Sequence, residues 1–303
     1  ITVSMASTEA ISDLSNLVFD ANYSAANDVM VISNNVTTNL TLTGSDMIDQ
    51  FTSGAGNDTM SGGAGNDVLN AAAGNNTVDG GAGNDTLTTT TGTDTITGGA
   101  GNDTINSGAG VDTITAGEGA DIVISGAGAD VISLTETTSA ADNVVIGALT
   151  EGASAGTAAG TFTGFNVISG FQVVADVAGT SDDVVFDGDG NGDDTVGTDL
   201  VDGTLAVIAG TAATTASNDL STANYTDVDS VVNFYNDNVT NGTITNHSTV
   251  GGDDDIMAVT LGSGTAAMTA IYHIVDDGAA IDATEVTLIA TVDATLAAGD
   301  IIL

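Results

Sequence analysis

Apolar side chains recur at every ninth residue through the middle of the chain, between residues 60 and 132. The residues beside each apolar position are mostly polar or small, an alternation typical of strands with one face in a core. A repeat this short and regular indicates a stack of similar coils built from short strands. The apolar positions are Met60, Leu69, Val78, Leu87, Ile96, Ile105, Ile114, Val123 and Ile132.

An aspartate, once replaced by asparagine, lies two residues before each apolar position. The series is Asp58, Asp67, Asn76, Asp85, Asp94, Asp103, Asp112, Asp121 and Asp130. A glycine lies two residues before each member, at Gly56, Gly65, Gly74, Gly83, Gly92, Gly101, Gly110, Gly119 and Gly128. Glycine suits tight turns because it adopts backbone angles that a Cβ disfavours. Each repeat therefore combines a glycine turn, an acidic residue and a short strand.

Stretches such as GGAGNDVLN at 62–70 and GGAGNDTIN at 98–106 resemble the calcium-binding nonapeptide of the RTX (repeats-in-toxin) family. The resemblance implies an all-β fold, a calcium-bound parallel β-roll in which two nonapeptides complete one coil. It also implies that calcium is bound by the acidic series and by turn residues. On this basis we expect metal ligands at all nine members of the Asp/Asn series and at Gly56, Gly65, Gly83, Gly101, Gly110, Gly119 and Gly128.

A coil of two nonapeptides stacks alternate members of the series in two rows. Row one is Asp58, Asn76, Asp94, Asp112 and Asp130, and row two is Asp67, Asp85, Asp103 and Asp121. Neighbours lie roughly 5 Å apart, where two carboxylates repel by up to about 3 kcal/mol at an effective dielectric near 20. The metal-free roll should therefore be largely unfolded, and calcium should fold it by ligation. The gaps correspond to about seven calcium ions, with weaker binding beside Asn76.

The composition limits the partners of the chain. Its 303 residues include 41 acidic side chains and no Lys, Arg, Cys or Pro, and the formal net charge is -41. Because only the two histidines could form salt bridges, the carboxylates must be met by water, backbone amides or cations. The lack of basic residues argues against nucleic acid or an anionic membrane surface as a partner. Apolar runs are strand-sized, so no transmembrane segment is expected.

The repeat array sets the expected domain organisation. Residues 1–51 should form N-terminal strands that cap the roll, 52–147 the β-roll, 148–164 a linker, and 165–303 a β-rich C-terminal region. Asp49 continues the register, but Met47 occupies its glycine position, so we interpret this coil as degenerate. Apolar spacing favours one short helix after Thr226, the expected N-cap, and another within 7–18.

Outside the array, DGDGNGDD places Asp187, Asp189 and Asn191 at positions 1, 3 and 5 of a loop similar to that of an EF-hand, with Thr198 at the twelfth position instead of Glu. Calcium binding and a solvated acidic turn both fit this segment. His247 and His273 have no paired metal spacing, and no nucleophile elbow occurs. We therefore expect no enzymatic activity.

The last residues, 286–303, resemble the uncleaved C-terminal signal of RTX proteins exported by type I secretion, although a terminal strand pair fits them as well. We expect a secreted, extracellular protein. The favoured hypothesis is a calcium-binding structural protein that assembles with copies of itself, similar to RTX portions of Gram-negative S-layer proteins or to matrix filaments. The alternative is an RTX adhesin or ice-binding module, because Thr59, Thr77, Thr95 and Thr113 form an outward ladder.

Overall fold

The computed structural model describes residues 2–4, 29–33, 37, 39–138, 140–146, 166–169, 183–186, 205–208, 231–232, 253–261, 267–276, 286–294 and 301–302. The chain divides into two compact units, Ile1–Val145 and Ile146–Leu303. The predicted linker at 148–164 and the helix predicted within 7–18 lie outside the described residues. Of the helix predicted after Thr226, only Val231 and Val232 are described, and their backbone is helical.

The first unit is a roll of two parallel sheets, which confirms the predicted fold class. One sheet has the strand order β1-β2-β4-β6-β8-β10-β13-β15, and the other has the order β3-β5-β7-β9-β12-β14. The first-sheet strands are β1 (Thr2–Ser4), β2 (Val29–Ser33), β4 (Ile48–Ser53), β6 (Val68–Ala73), β8 (Thr86–Gly92), β10 (Thr104–Asn106), β13 (Ile122–Ile124) and β15 (Asn143–Ile146). The second-sheet strands are β3 (Thr41–Thr43), β5 (Thr59–Ala64), β7 (Thr77–Ala82), β9 (Thr95–Ala100), β12 (Thr113–Glu118) and β14 (Val131–Ser133), and β11 (Ala109–Gly110) pairs with β8.

The register of the sheets follows the nonapeptide period. Met60 pairs with Val78, and Val78 pairs with Ile96, so each step along a sheet corresponds to two repeats. The apolar positions consequently form two columns between the sheets, where every side chain is buried. One column is Phe51, Leu69, Leu87, Ile105, Val123 and Val144, and the other is Leu42, Met60, Val78, Ile96, Ile114 and Ile132. These columns form the hydrophobic core that holds the coils together.

The turns between sheets bring the backbones of successive coils close together. Gly65 has a φ of 127°, in the left-handed region that favours glycine, and a Cβ on it would lie 2.5 Å from the carbonyl oxygen of Met47 in the preceding coil. A side chain at this position would therefore push the coils apart. The invariant glycine of each repeat permits the stacking distance of the sheets.

The asparagine before the acidic residue forms a second ladder along both edges. The side-chain oxygen of Asn57 accepts a hydrogen bond from the backbone N–H of Asn75 at 3.0 Å, and Asn66 and Asn84 repeat the contact on the other edge. These asparagines are exposed. They join coils without a metal ion, which is a contact that the sequence analysis did not predict.

The described residues of the second unit include two groups of strands. β19 (Asp253–Leu261), β20 (Met268–Asp276) and β21 (Val286–Val292) form an antiparallel meander, flanked by β18 (Leu205–Ile208) and β16 (Asn166–Ser169) in parallel pairing. β17 (Asp183–Phe186) pairs with β22 (Ile301–Ile302). Tyr272, Leu288 and Met257 are fully buried in the meander. Among the described residues, no helix has the length and apolar character needed to cross a membrane.

Candidate metal sites

The acidic series lies at the two edges of the roll, where each turn enters a strand. Asp67 immediately precedes β6, and Asp85 immediately precedes β8, so each carboxylate begins a strand of the first sheet. Row one begins strands of the second sheet in the same way. All nine members of the series are at most 2% exposed, which is unusual for charged side chains without basic partners.

One oxygen of each buried carboxylate links its coil to the preceding coil. The Oδ1 atom of Asp85 accepts a hydrogen bond from the backbone N–H of Asp67 at 2.7 Å, and the Oδ1 atom of Asp103 accepts one from Asp85 at 2.8 Å. The structure therefore brings the predicted rows together. In row one the same bond runs from Leu40 to Asp58, from Asp58 to Asn76, from Asn76 to Asp94, from Asp94 to Asp112 and from Asp112 to Asp130.

The second oxygen of these carboxylates has a different environment. Within the described part of the chain, the Oδ2 atom is buried and has no hydrogen-bond partner at Asp58, Asp67, Asp85, Asp94, Asp103, Asp112 and Asp121. A buried carboxylate oxygen without a donor costs free energy unless it is protonated or meets a cation. Because the chain has no Lys or Arg, no side-chain ammonium or guanidinium can supply that charge.

The electrostatics of the rows reflect this arrangement. Burial raises the pKa of Asp67 and of Asp103 to about 7, and repulsion from the neighbouring carboxylates of row two adds to the shift. The hydrogen bond from the preceding coil acts in the opposite direction. Burial also raises the pKa of Asp130 to about 7 and that of Asp121 to about 6. Burial therefore disfavours the ionised forms of these four carboxylates when no metal is bound.

A glycine five residues before Asp67, Asp85 and Asp103 leaves space beside the second oxygen of each carboxylate, whereas Ala116 holds this position before Asp121. A Cβ on Gly80 would lie 2.5 Å from the Oδ2 atom of Asp85 and 2.6 Å from the carbonyl oxygen of Gly98 in the following coil. Gly62 and Gly98 have the same relation to Asp67 and Asp103. A carboxylate oxygen of one coil and a carbonyl oxygen of the next coil thus converge on the same small space.

In row one, the contacts of Asn76 show which turn carbonyl groups surround the corresponding position. Its Nδ2 atom donates to the carbonyl oxygens of Gly74 at 3.0 Å and Ala71 at 3.1 Å, and lies 3.5 Å from that of Ala72. At Asp67, Asp85 and Asp103 of row two, an aspartate oxygen replaces this donor. In these turns the Oδ2 atom has no hydrogen-bond partner and shares the space with a carbonyl oxygen of the next coil.

These oxygen donors fit Ca²⁺, which takes six to eight carboxylate and carbonyl oxygens in flexible geometry. In row two, the aspartate and the turn carbonyls of its own and the next coil would hold the ion, and the bound ion would neutralise the carboxylates and join the coils. No group of three His, Cys, Asp or Glu side chains suited to a metal occurs among the described residues. The candidate sites therefore depend on backbone carbonyls as much as on side chains.

The predicted glycines lie in these turns. Gly65, Gly83, Gly101, Gly119 and Gly128 have positive φ, and a Cβ on Gly110 would overlap the carbonyl group of Gly92. Gly56 precedes Asp58 in the first full repeat. Metal ligation by the series and by these glycines stays a prediction. Asp187, Asp189 and Asn191 lie outside the described residues, as does His247, whereas His273 is buried in β20.

Two further aspartates extend row two beyond the predicted members. Asp49 is buried and donates its N–H to Asp67, and its own carboxylate accepts from the N–H of Ser45. Gly44 lies five residues before Asp49, as Gly62 does before Asp67, and this spacing is the sequence feature that assigns Asp49 to row two. Asp142 accepts from the N–H of Asp121 across a coil of 21 residues, three more than the regular coil. This longer coil moved Asp142 out of the expected register.

Comparison with known protein families agrees with this geometry. The RTX calcium-binding nonapeptide repeat, a family profile of four copies, matches residues 43–78, 79–114 and 107–132. These matches cover the coils that carry both aspartate rows. A search of the curated proteins found no match to the chain. RTX nonapeptide repeats bind Ca²⁺, so residues 43–132 form an RTX-type calcium-binding repeat region, and the roll of the first unit agrees with that match.

Proposed function

We propose that this chain is a secreted structural protein that calcium folds outside the cell and that then assembles with copies of itself into a lattice or filament. The observation that carries the proposal is the set of seven buried Oδ2 atoms without hydrogen-bond partners in the two rows. These oxygens make the folded roll unfavourable until cations bind. Folding is thereby coupled to the calcium concentration around the chain.

The coupling favours an extracellular location. Free calcium is far higher outside cells than inside, and extracellular calcium modules bind with dissociation constants of about 10⁻⁴ to 10⁻³ M. A chain that stays unfolded at low calcium remains suitable for export through a narrow channel and folds after release. RTX repeat proteins are typically extracellular. Type I secretion through the C-terminal residues is part of this proposal.

The end of the roll supports self-assembly. In the described part of the second sheet, β3 lies at the edge and pairs only with β5, and its sequence Thr-Leu-Thr carries no charge. An uncharged edge strand is a template for pairing with another chain. The chain has 41 acidic side chains and no Lys or Arg, so its net negative charge would repel other copies until calcium bridges them. The edge strand thus offers a site for pairing, and the negative charge makes assembly depend on calcium.

Negative-stain electron microscopy with and without calcium tests this proposal. We expect sheets or filaments in millimolar calcium and unassembled chain in chelator. Thr41→Lys places a charge on the exposed edge strand and should block assembly while leaving calcium-induced folding intact. Thr77→Lys, at the equivalent outward position of an internal strand, is the matched control and should still assemble. A wild-type protein that folds with calcium and remains monomeric at high concentration would refute self-assembly.

A regular threonine ladder favours a second candidate, the ice-binding module. Thr41, Thr59, Thr77, Thr95 and Thr113 are exposed and pair in register along the second sheet, about one strand spacing apart. Stacked threonines are also simply favourable in strands. If the calcium-loaded monomer shapes ice crystals and Thr95→Tyr abolishes this effect, ice binding would be the favoured function. Unaltered ice growth would reject it.

A further inference from the structure

The oxygen and the nitrogen of the Asn76 amide both have hydrogen-bond partners inside the roll. It is 2% exposed, and its Oδ1 atom accepts from the N–H of Asp58 at 2.9 Å. Its Nδ2 atom faces the carbonyl oxygens of Ala71, Ala72 and Gly74. The amide is therefore neutral, buried and satisfied, in a turn where the neighbouring coils of the row have a charged carboxylate.

The orientation of the amide is fixed at both ends. If the amide rotated to present its oxygen to a cation, its NH₂ group would face the N–H of Asp58, and two donors would oppose each other. The same rotation would leave the three turn carbonyls without their donor. An amide nitrogen has no lone pair available for a cation, so the observed orientation is incompatible with an ion among these carbonyls.

We propose that the side-chain amide of Asn76 takes the place of a calcium ion in its own turn, so that the turn 71–76 closes without metal. The inference rests on calcium binding by the aspartate turns. It replaces the expectation that Asn76 is a weak calcium ligand. Row one is then divided by a metal-independent coil into one acidic turn before Asn76 and a group of acidic turns after it.

Other side chains of row one act in the same direction. The hydroxyl of Thr89 donates to the carbonyl oxygen of Ser107 at 2.6 Å, and the hydroxyl of Ser107 donates to the carbonyl oxygen of Ser125. Both hydroxyls are buried, and they lie five residues before Asp94 and Asp112. At the same position row two has Gly62, Gly80, Gly98 and Ala116, none of which carries a side-chain donor. Internal donors thus satisfy carbonyls in row one that row two leaves to a cation.

Asn76→Asp tests the proposal directly, with calcium as the probe and the full chain as the protein. Bound calcium is counted by equilibrium dialysis, and folding is followed by circular dichroism during a calcium titration. We expect at least one additional ion per chain and less β-structure in chelator than in the wild type. Asn75→Asp adds the same charge one residue away at an exposed position, keeps the acceptor oxygen for Thr93, and should leave the count unchanged.

Asp94→Asn is the reciprocal variant and keeps the test decisive if Asn76→Asp fails to fold. It should lose at least one ion and gain β-structure in chelator. An Asn76→Asp variant that folds with the wild-type count would overturn the inference, and so would an Asp94→Asn variant that keeps its ions. A wild-type chain that binds no calcium would instead contradict the proposed function, so the two failures are distinguishable.

Discussion

Replacement of Asp85 by asparagine should have opposite effects on stability with and without calcium. Asp85 lies in the middle of row two, between Asp67 and Asp103, and its Oδ1 atom accepts from the N–H of Asp67 at 2.7 Å. Asparagine keeps the shape of the side chain and this acceptor. It removes one negative charge and places a donor where the Oδ2 atom of Asp85 has no hydrogen-bond partner among the described residues.

The magnitude without calcium follows from the two neighbours in the row. At roughly 5 Å and an effective dielectric near 20, each neighbour contributes up to about 3 kcal/mol of repulsion. Burial raises the pKa of Asp67 and Asp103 to about 7, so these neighbours are only partly ionised at neutral pH and the repulsion is smaller. We therefore expect Asp85→Asn to stabilise the metal-free roll by about 1–3 kcal/mol. With saturating calcium the variant lacks a ligand, and it should be less stable than the wild type by about 3 kcal/mol.

Urea unfolding followed by circular dichroism, once in chelator and once in millimolar calcium, measures both effects. The sign of the change in the free energy of unfolding should reverse between the two conditions. Asp46→Asn is the matched control, because Asp46 is exposed and lies outside both rows. It should change stability little in either condition. A variant that is destabilised equally with and without calcium would refute the view that calcium compensates the buried charges of row two.

The remaining predictions concern the same rows. At limiting calcium, Asp85→Ala should abolish far more β-structure than Asn76→Ala, and dialysis should show fewer ions only for the former. In chelator, acidification from about pH 8 to pH 5.5 should increase the β-structure seen by circular dichroism. Asp67 and Asp103 have pKa values of about 7 in the folded chain, against an ordinary value of 3.8. Their contribution to the stability of the metal-free roll is therefore complete at low pH and is lost as pH rises through about 7. A decrease in β-structure on acidification would contradict this. With calcium the sign should reverse, because ligation requires ionised carboxylates. Gly80→Ala places a Cβ 2.5 Å from the Oδ2 atom of Asp85 and should raise the calcium midpoint for folding; an unchanged midpoint would show that this space is not used.

The roll could be predicted from sequence because its period is local and uninterrupted. Two nonapeptides per coil place Met60 beside Val78 and Asp67 beside Asp85, and the structure has this register. The buried columns followed for the same reason, since each repeat contributes one apolar side chain at a fixed position. A repeated short-range pattern determines a long-range contact when every coil has the same length.

The limits of the prediction have equally specific causes. Asp142 was missed because its coil is three residues longer than the others, and counting by nines then fails. Asp49 was underestimated because its coil lacks the glycine two residues before it and keeps Gly44 instead. The amide orientation of Asn76 depends on which atoms surround the side chain, and this information is absent from the residue spacing.

The second unit shows the contrast. The predicted β-rich C-terminal region contains the strands β16 and β17. In the described residues β16 pairs with β21 and β17 pairs with β22, so the two strands are not partners of each other. Strand formation followed from local apolar residues, whereas the choice of partner depends on segments more than 100 residues away along the chain.

The absence of Lys and Arg gives the roll its dependence on its surroundings. In most proteins a buried carboxylate meets a basic side chain, and the pair is available whenever the chain folds. Here a backbone N–H group satisfies one oxygen of Asp85, and the second oxygen, which has no hydrogen-bond partner among the described residues, needs a proton or a cation from solution. Asn76 is the exception within the rows, because its amide supplies its own donor. The number of aspartates in the rows therefore sets how strongly folding responds to calcium, and each Asp→Asn exchange should reduce that response in proportion to the charges it removes.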